Sequence, residues 1–408
     1  MYAFPVAKLY LADDVLRDDR ALARARRLMA ALSVTESAIV TRDEARRLAA
    51  GRPNAAPAPF PRRTGSFDYS AGWTVLLDTY VGGDRMGDGI VRATYRDMGR
   101  PAPGAGVCQS ALELHGAFGC YHRCAYCFCD PFFHVACDLE SLAVALPGYF
   151  AQHAAQRLFK FDNFTDTIVL EPEYGASELF VPLFAKTPDR FLLLYTKSDN
   201  VEHLLDLPHG GHTIVNWSLS PPTQSRAIEV NAPDTFARIA AMRRCEQAGY
   251  TVRVRISPIV PLDGWQEEFR AMVDALFDSA HPDIVTVDIL GWCLPEALAD
   301  AMDVSLLEEP WRVELEKMMG IGNRDAGKYL FSHGLRAGAL RFAAEEIRRR
   351  SPKTPVVICN ETERMWATLA DVLTGRPGRY ACCCGPRSVP ADRLCLTASR
   401  TLSCTTSE

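Results

Sequence analysis

The segment HGAFGCYHRCAYCFCD places Cys120, Cys124 and Cys127 in a C-x-x-x-C-x-x-C array. Three thiolates on one tight loop can converge on a single inorganic cluster. A [4Fe–4S] cube has four irons, and iron–sulfur proteins ordinarily give each a cysteine. Three ligands therefore leave one iron open to a further molecule. Cys124 and Cys127 with His122 or Cys129 also resemble half of a zinc site, but zinc knuckles usually pair, and no second C-x-x-C occurs in the chain. Cys129, Cys108 and Cys137 lie outside the triad and read as bystanders. A second group gathers near the C-terminus: Cys359, Cys382, Cys383, Cys384, Cys395 and Cys404. Side chains alternate along an extended chain, so Cys382 and Cys384 can share a face while Cys383 points away. They are candidate catalytic hydrogen donors, ligands of a second cluster or soft metal, or anchors for a thiophilic substrate.

The remaining composition bounds the class. The chain has 408 residues, 48% apolar and 23% charged, with a formal net charge of -5. That is a globular balance, not a disordered one. Fourteen cysteines are too dilute here for a small disulfide scaffold. The N-terminus carries an Asp pair and no apolar signal core, and no run approaches the ~20 apolar residues of a membrane helix. The expectation is a cytoplasmic protein without a membrane partner. No P-loop, G-x-S-x-G or H-E-x-x-H occurs, and GIG at 320–322 is not a dinucleotide fingerprint.

The elements that must hold the cysteines follow from periodicity. Lys8–Leu11 reads as a strand, followed by a helix with Leu22, Ala25, Leu28, Met29 and Leu32 on one face. Residues 51–63 and 101–106 are Pro-rich or Gly-rich breaks. Strand-like runs follow at Ala111–His115, Thr167–Leu170, Phe191–Tyr195, Thr213–Leu219, Val252–Ile256 and Ile284–Leu290. Helices lie between them, including Asp234–Ala248 and Trp265–Asp278. Alternation of this kind predicts parallel βαβ units. A partial barrel and a doubly wound sheet both fit. A helix at Leu340–Arg350 and a strand at Pro355–Cys359 precede the Cys-rich tail. The expected division is an N-terminal extension (1–105), a central unit (106–300) and a C-terminal region (301–408).

The three-cysteine array with Tyr126 before its last member resembles the radical S-adenosylmethionine superfamily. Within it, KLYLADDVLRDDRALARARRLMAAL, YTKSDNVEHLLDLPHGGHT, SLSPPTQ, EQAGYTVRVRISPIVPLDGW, GKYLFSHGL and ICNETERMW are similar, in order, to segments of the spore photoproduct lyase family. The resemblance implies an α/β fold: a partial (β/α)6 TIM-type barrel with an N-terminal α/β extension, a Cys-rich C-terminal region and a cluster at the barrel mouth. It implies Cys120, Cys124 and Cys127 as cluster ligands and Tyr126 as the residue whose backbone meets adenine. Lys197 and Ser218 match positions that contact S-adenosylmethionine; a cation suits its carboxylate and a hydroxyl its ribose or carboxylate. Glu171 and Glu173 are candidates for its amino group. The implied cofactors are a [4Fe–4S] cluster and S-adenosylmethionine, with a further metal or cluster at the C-terminal cysteines as an additional candidate. A flavodoxin or ferredoxin is the implied electron donor.

The family returns a hydrogen atom to the repaired thymine from a cysteine shortly before the second strand. Here that stretch is KFDNFTDTIVL, and no cysteine occurs between Cys137 and Cys245. The acidic charge total also offers no broad basic face; the nearest candidate is Arg341 with Arg348, Arg349 and Arg350. The expectation is therefore a radical enzyme acting on a small molecule in a biosynthetic or tailoring pathway, with nucleic acid not a partner. The alternatives are lesion repair with Cys382 or Cys384 as donor, aminocarboxypropyl transfer to a thiol-bound acceptor, and a non-enzymatic metal- or thiol-binding protein.

Overall fold

The computed structural model describes residues 1–51, 67–70, 72–80, 90–92, 107–108, 112–291, 293–319, 329–377 and 379–390. Cys395, Cys404, the GIG segment and most of the Pro-rich stretch lie outside these residues. In chain order the strands are β1 (Pro5–Ala12), β2 (Ser33–Val40), β3 (Trp73–Asp78), β4 (Ile90–Arg92), β5 (Leu112–Leu114), β6 (Ala117–Phe118) and β7 (Phe132–Ala136). They continue with β8 (Leu158–Phe161), β9 (Phe191–Thr196), β10 (Thr213–Ser218), β11 (Thr251–Ile259), β12 (Val285–Ile289) and β13 (Val356–Ile358).

Two sheets form, in the orders β2-β1-β3-β7-β6 and β13-β12-β11-β10-β9-β8-β5-β4. Pairing is parallel except at β4/β5 and β6/β7. The larger sheet is open and collects the expected βα units. Its helices match the sequence reading closely: Thr235–Gln247 begins on an Asp234 cap, and Trp265–Ser279 buries Trp265, Phe269, Met272, Val273, Leu276 and Phe277. The buried face of the first runs through Ile239, Ala241, Met242 and Cys245, and Phe236 is exposed.

The N-terminal sheet was not foreseen as a sheet. Strands β6 and β7 lie beyond residue 105, yet Thr74 of β3 pairs with Phe132 of β7, so one sheet runs across the expected boundary. A second difference concerns Thr167–Leu170, which is a buried 3-10 turn; the strand of that unit is Leu158–Phe161. A short apolar run does not distinguish the two. The true strand was obscured by Lys160, which is buried and ion-paired with Glu113.

Parallel strands in register place matching residues on one face. Tyr195, Asn216 and Arg253 form one row, and Ser218, Arg255 and Thr286 lie one level nearer the strand ends. The concave face of the larger sheet is thus unusually polar. The C-terminal segment closes it from below. Arg253 donates to the carbonyls of Cys383 at 3.0 Å and Ser388 at 2.7 Å and pairs with Asp283, while the Pro386 carbonyl accepts from Arg157 and Leu158. Burial opposes the Arg253 charge, but Asp283 outweighs it and raises the pKa.

Removing one partner of a buried ion pair leaves the other uncompensated. Arg253→Met is expected to cost about 3–5 kcal/mol, read as a lower urea midpoint, and to expose residues 380–390 to limited proteolysis.

Candidate cluster-binding cavity

Residues 120–129 form the loop between β6 and β7. Gly119 sets its entry: it has φ +94°, and a Cβ there would sit 2.2 Å from the Phe132 carbonyl oxygen, so only glycine fits. The loop is then fastened from several sides. Ala125 donates to the Ile228 carbonyl, Asn231 to the His122 carbonyl, and Trp73 Nε1 to the Cys120 carbonyl at 3.4 Å.

These fixings bring Cys120, Cys124 and Cys127 to the wall of one cavity of about 230 Å³. Tyr126, Lys197 and Ser218 line the same cavity, so six of the residues read from the sequence converge. Burial raises the pKa of Cys120 well above the usual thiol range, and burial, partly offset by Lys197, raises that of Cys124 to about 12. A buried thiol and two partly buried ones of this kind suit a cation that can hold them as thiolates. Among the described residues, no three such side chains converge tightly enough for a single metal ion. A four-iron cube spreads its cysteines further apart than a single ion does.

Glu229 is the electrostatic centre beneath the loop. It is 1% exposed and accepts from Tyr126 Oη at 2.5 Å and Ser220 Oγ at 2.9 Å, with Arg238 at 2.6 Å and Lys197 Nζ at 3.8 Å. Burial alone would raise its pKa. Arg238 and Lys197, with the Tyr126 hydroxyl, outweigh burial and hold it at about 2. Lys197 also lies 5.9 Å from the Tyr126 ring centroid. Tyr126, placed by resemblance as an adenine contact, therefore has a hydroxyl engaged with Glu229.

Glu171 and Glu173 do not reach the cavity and are corrected. Glu171 is buried and accepts from the Gly175 and Ser177 amides at 2.9 and 2.8 Å, fixing the start of the helix Ala176–Ala185. Glu173 pairs with the terminal amine of Met1 at 2.8 Å. Trp217 is fully buried and turned away from the mouth, its Nε1 donating to the Ser198 carbonyl.

The C-terminal thiols occupy a second cavity of about 10 Å³, lined by Cys108, Cys359, Cys382, Cys383 and Cys384. Arg255 and Asn360 line both cavities. The chain turns at Cys383 and Cys384 instead of running extended, and all three residues line this cavity: Cys382 and Cys384 pack into the main core, and Cys383 contacts Thr286 Oγ1 at 3.0 Å and the Val254 carbonyl at 3.2 Å. Tyr195, which lines the larger cavity, lies beside Cys384. Burial and Cys384 push the Tyr195 pKa up, so it stays a phenol.

Cys129, read from the sequence as a bystander, lines the wall, its thiol donating to the Phe164 carbonyl at 3.4 Å, and several further cavity residues carried no signal in the sequence. The stretch inspected for a donor cysteine supplies Asp162 and Asp166 instead. Asp162 is saturated by His115 Nδ1 at 2.5 Å and four main-chain amides. Burial disfavours charge on His115, but Asp162 and Glu113 outweigh it and raise its pKa. Arg255 and Asp288 were discoverable, because charges at every second position of an apolar strand indicate a polar inner face.

The chain was compared with known proteins. The sequence model of the spore photoproduct lyase family matches residues 107–290. Spore photoproduct lyase of Bacillus subtilis (strain 168) is 25% identical over 180 residues, 42% of this chain and 52% of that protein. That of Geobacillus sp. (strain Y412MC61) is 24% identical over 188 residues, 44% and 53% of the two chains. The chain thus spans about half the length of the curated relatives it matches. Among solved structures, a spore photoproduct lyase complexed with dinucleoside spore photoproduct aligns with TM-score 0.60 and 16% identity, covering 86% of this chain and 98% of that one. A double variant with bound AdoMet and dinucleoside spore photoproduct aligns with TM-score 0.57 and 15% identity over the same shares. These likenesses establish the fold.

They also correct the expected partners. A small-molecule substrate and the exclusion of nucleic acid conflict with a relative that holds a dinucleoside. Net charge is a global sum and does not by itself exclude such a ligand: a dinucleoside presents few phosphates and needs few cations, unlike a duplex tracked over many. The basic helix end is indeed no such track: Arg341, Arg349 and Arg350 pair with Asp371, Glu346, Asp274 and Asp278. Among the described residues, no helix is long and apolar enough to cross a membrane.

Because the Glu229 pKa falls from 4.5 to about 2 on folding, its contribution is fully present above pH 4.5 and is lost as pH drops towards 2. The metal-free Glu229→Gln protein is expected to lack this part of the acid destabilisation, measured as urea midpoints across that range.

Proposed function

We propose that the chain is a spore photoproduct lyase-like enzyme of the radical S-adenosylmethionine superfamily, a lyase acting on a dinucleoside lesion of the spore photoproduct kind. The observation that carries this reading is the convergence of Cys120, Cys124 and Cys127 with Lys197 and Ser218 on one cavity. The relatives of matching fold hold a dinucleoside spore photoproduct and, in one case, AdoMet.

In this reading Cys120, Cys124 and Cys127 hold a [4Fe–4S] cluster. A cluster there supplies one electron to the sulfonium of S-adenosylmethionine, giving a 5′-deoxyadenosyl radical. Lys197 offers its ammonium to the methionine carboxylate, and Ser218 its hydroxyl to the same molecule. Tyr126 presents its backbone to adenine, with its hydroxyl tied down by Glu229. Arg255, Ser257, Asp288 and Asn360 form the opposite wall, which is left for the lesion. A flavodoxin- or ferredoxin-type protein delivers the electron.

A carbon radical on the repaired base must gain a hydrogen atom. Cys384 is the donor we assign, acting through Tyr195, with Cys382 behind it in the same small cavity. One C–H bond forms and, after Tyr195 is recharged, one S–H bond of Cys384 is broken. An electron from the same one-electron donor and a proton from solvent restore the thiol.

Anaerobically reconstituted protein is expected to hold about four irons and four sulfides per chain. It should release 5′-deoxyadenosine with dithionite and convert dinucleoside spore photoproduct. Cys120→Ala should lose iron and both activities; turnover by that variant overturns the cluster assignment. A fully loaded wild type that leaves the lesion untouched overturns the substrate. In D₂O the repaired product should carry one deuterium. Cys384→Ser should lower its yield at least tenfold while cofactor cleavage continues; an undiminished labelled product excludes Cys384 as donor.

A further inference from the structure

Asp166 stands where the two sheets meet. It follows β8 in the larger sheet and is 5% exposed. One oxygen lies 2.7 Å from His122 Nε2 and accepts from the Lys197 amide at 2.7 Å, and both oxygens lie within 3.0 Å of Thr196 Oγ1. His122 is 2% exposed, lies between Cys120 and Cys124, and has its carbonyl held by the Asn231 amide. Asp166 and His122 both line the principal cavity. A single carboxylate therefore ties the cysteine loop, carried by the smaller sheet, to the end of β9 and the start of Lys197.

Two physical consequences follow from this placement. The first is geometric. The loop already meets the segment after β10 through Ala125, Tyr126 and the His122 carbonyl, and the imidazole–carboxylate bond adds a tie to the end of β9, which sets how Cys120 and Cys124 face Lys197. The second is electrostatic. A carboxylate at the wall of a low-dielectric cavity disfavours adding an electron beside it, because Coulomb interactions there are weakly screened. Reduction potentials of iron–sulfur clusters respond to net charge, hydrogen bonding and exposure in this way.

We propose that Asp166 is a positioning residue that, acting through His122, orients the cysteine loop and holds the cluster at a more negative reduction potential. The inference rests on the reading of the site as a [4Fe–4S] centre and adds a role for a residue in the segment where a thiol was sought. A more negative cluster is a stronger donor to the sulfonium, so the carboxylate would act on the electron-transfer step without touching the substrate.

The test is a redox titration of the reconstituted holoprotein, followed by electron paramagnetic resonance, together with iron content. Asp166→Asn keeps the shape and removes the charge. It is expected to retain iron and, at a fixed applied potential, to raise the reduced-to-oxidised ratio at least tenfold, equivalent to ~59 mV for one electron. In a His122→Leu background the same substitution should still raise the ratio, through the carboxylate's charge alone, but by less than in the wild-type background; an effect of equal size in both overturns the part played through His122. A retained cluster with an unchanged potential in Asp166→Asn overturns the proposal. Should Asp166→Asn lose its iron, His122→Leu decides: loss in both supports orientation through the imidazole, whereas retention in His122→Leu overturns it. A wild type that binds no such cluster fails the underlying reading instead, which separates the two outcomes.

Discussion

Glu229 is a full charge withdrawn from water, and the site is arranged around the need to compensate it. A buried carboxylate is tolerated only with close cations and hydrogen-bond donors. Arg238 supplies one cation from the helix Thr235–Gln247, and Lys197 another from the end of β9. Tyr126 supplies a donor from the cysteine loop. Each partner comes from a different element, so satisfying one charge sets the relative position of three. The loop cannot drift without breaking the Tyr126 bond, and Lys197 cannot swing away without weakening its ion pair. Rigidity at the site thus follows from desolvation more than from loop sequence.

The same logic explains why two sheets are needed. The cysteine loop belongs to β6 and β7, while the groups it faces belong to β8 through β12. A loop carried by one sheet and read by another needs ties across the junction. Glu229 provides one such tie and Asp166 a second, and Trp73 braces the loop from behind. The polar inner face of the larger sheet is the complement of this arrangement. Tyr195, Ser218 and Arg255 are placed by strand register, which is less variable than a loop.

What the sequence disclosed follows from how local each signal was. The cysteine spacing, Lys197 at a strand end and Ser218 at another are readable because a few adjacent residues carry them. Helices such as Trp265–Ser279 are readable because their buried faces recur at helical spacing. The smaller sheet was hidden because β2 is mostly exposed, β6 has two residues, and β3 and β7 pair across more than fifty positions. Glu171 and Glu173 looked like ligands because chain order brought them near a strand. Their roles as a helix cap and as partner of the chain's own amine depend on contacts that no local pattern encodes. Asp166 and Cys129 belong to the same class, being significant only once the fold has closed.

The missing cysteine between Cys137 and Cys245 carried too much weight for a related reason. Its absence from one segment says nothing about thiols delivered to the cavity by another. The C-terminal segment passes beneath the larger sheet, where Arg253 holds it through two carbonyls. That anchoring puts Cys384 in the small cavity beside Tyr195, and it is Tyr195 that lines the larger one. Oxygen–hydrogen and sulfur–hydrogen bonds of phenols and thiols are close in strength and weaker than the C–H bonds of deoxyribose. In the proposed reaction the phenol would relay a hydrogen atom from the thiol, so that the thiol need not touch the substrate. The hydrogen source and the cysteine ligands can therefore occupy opposite ends of one cavity. Ligand thiols hold no hydrogen to donate, so a separate protonated thiol set back from the cluster is what the chemistry requires.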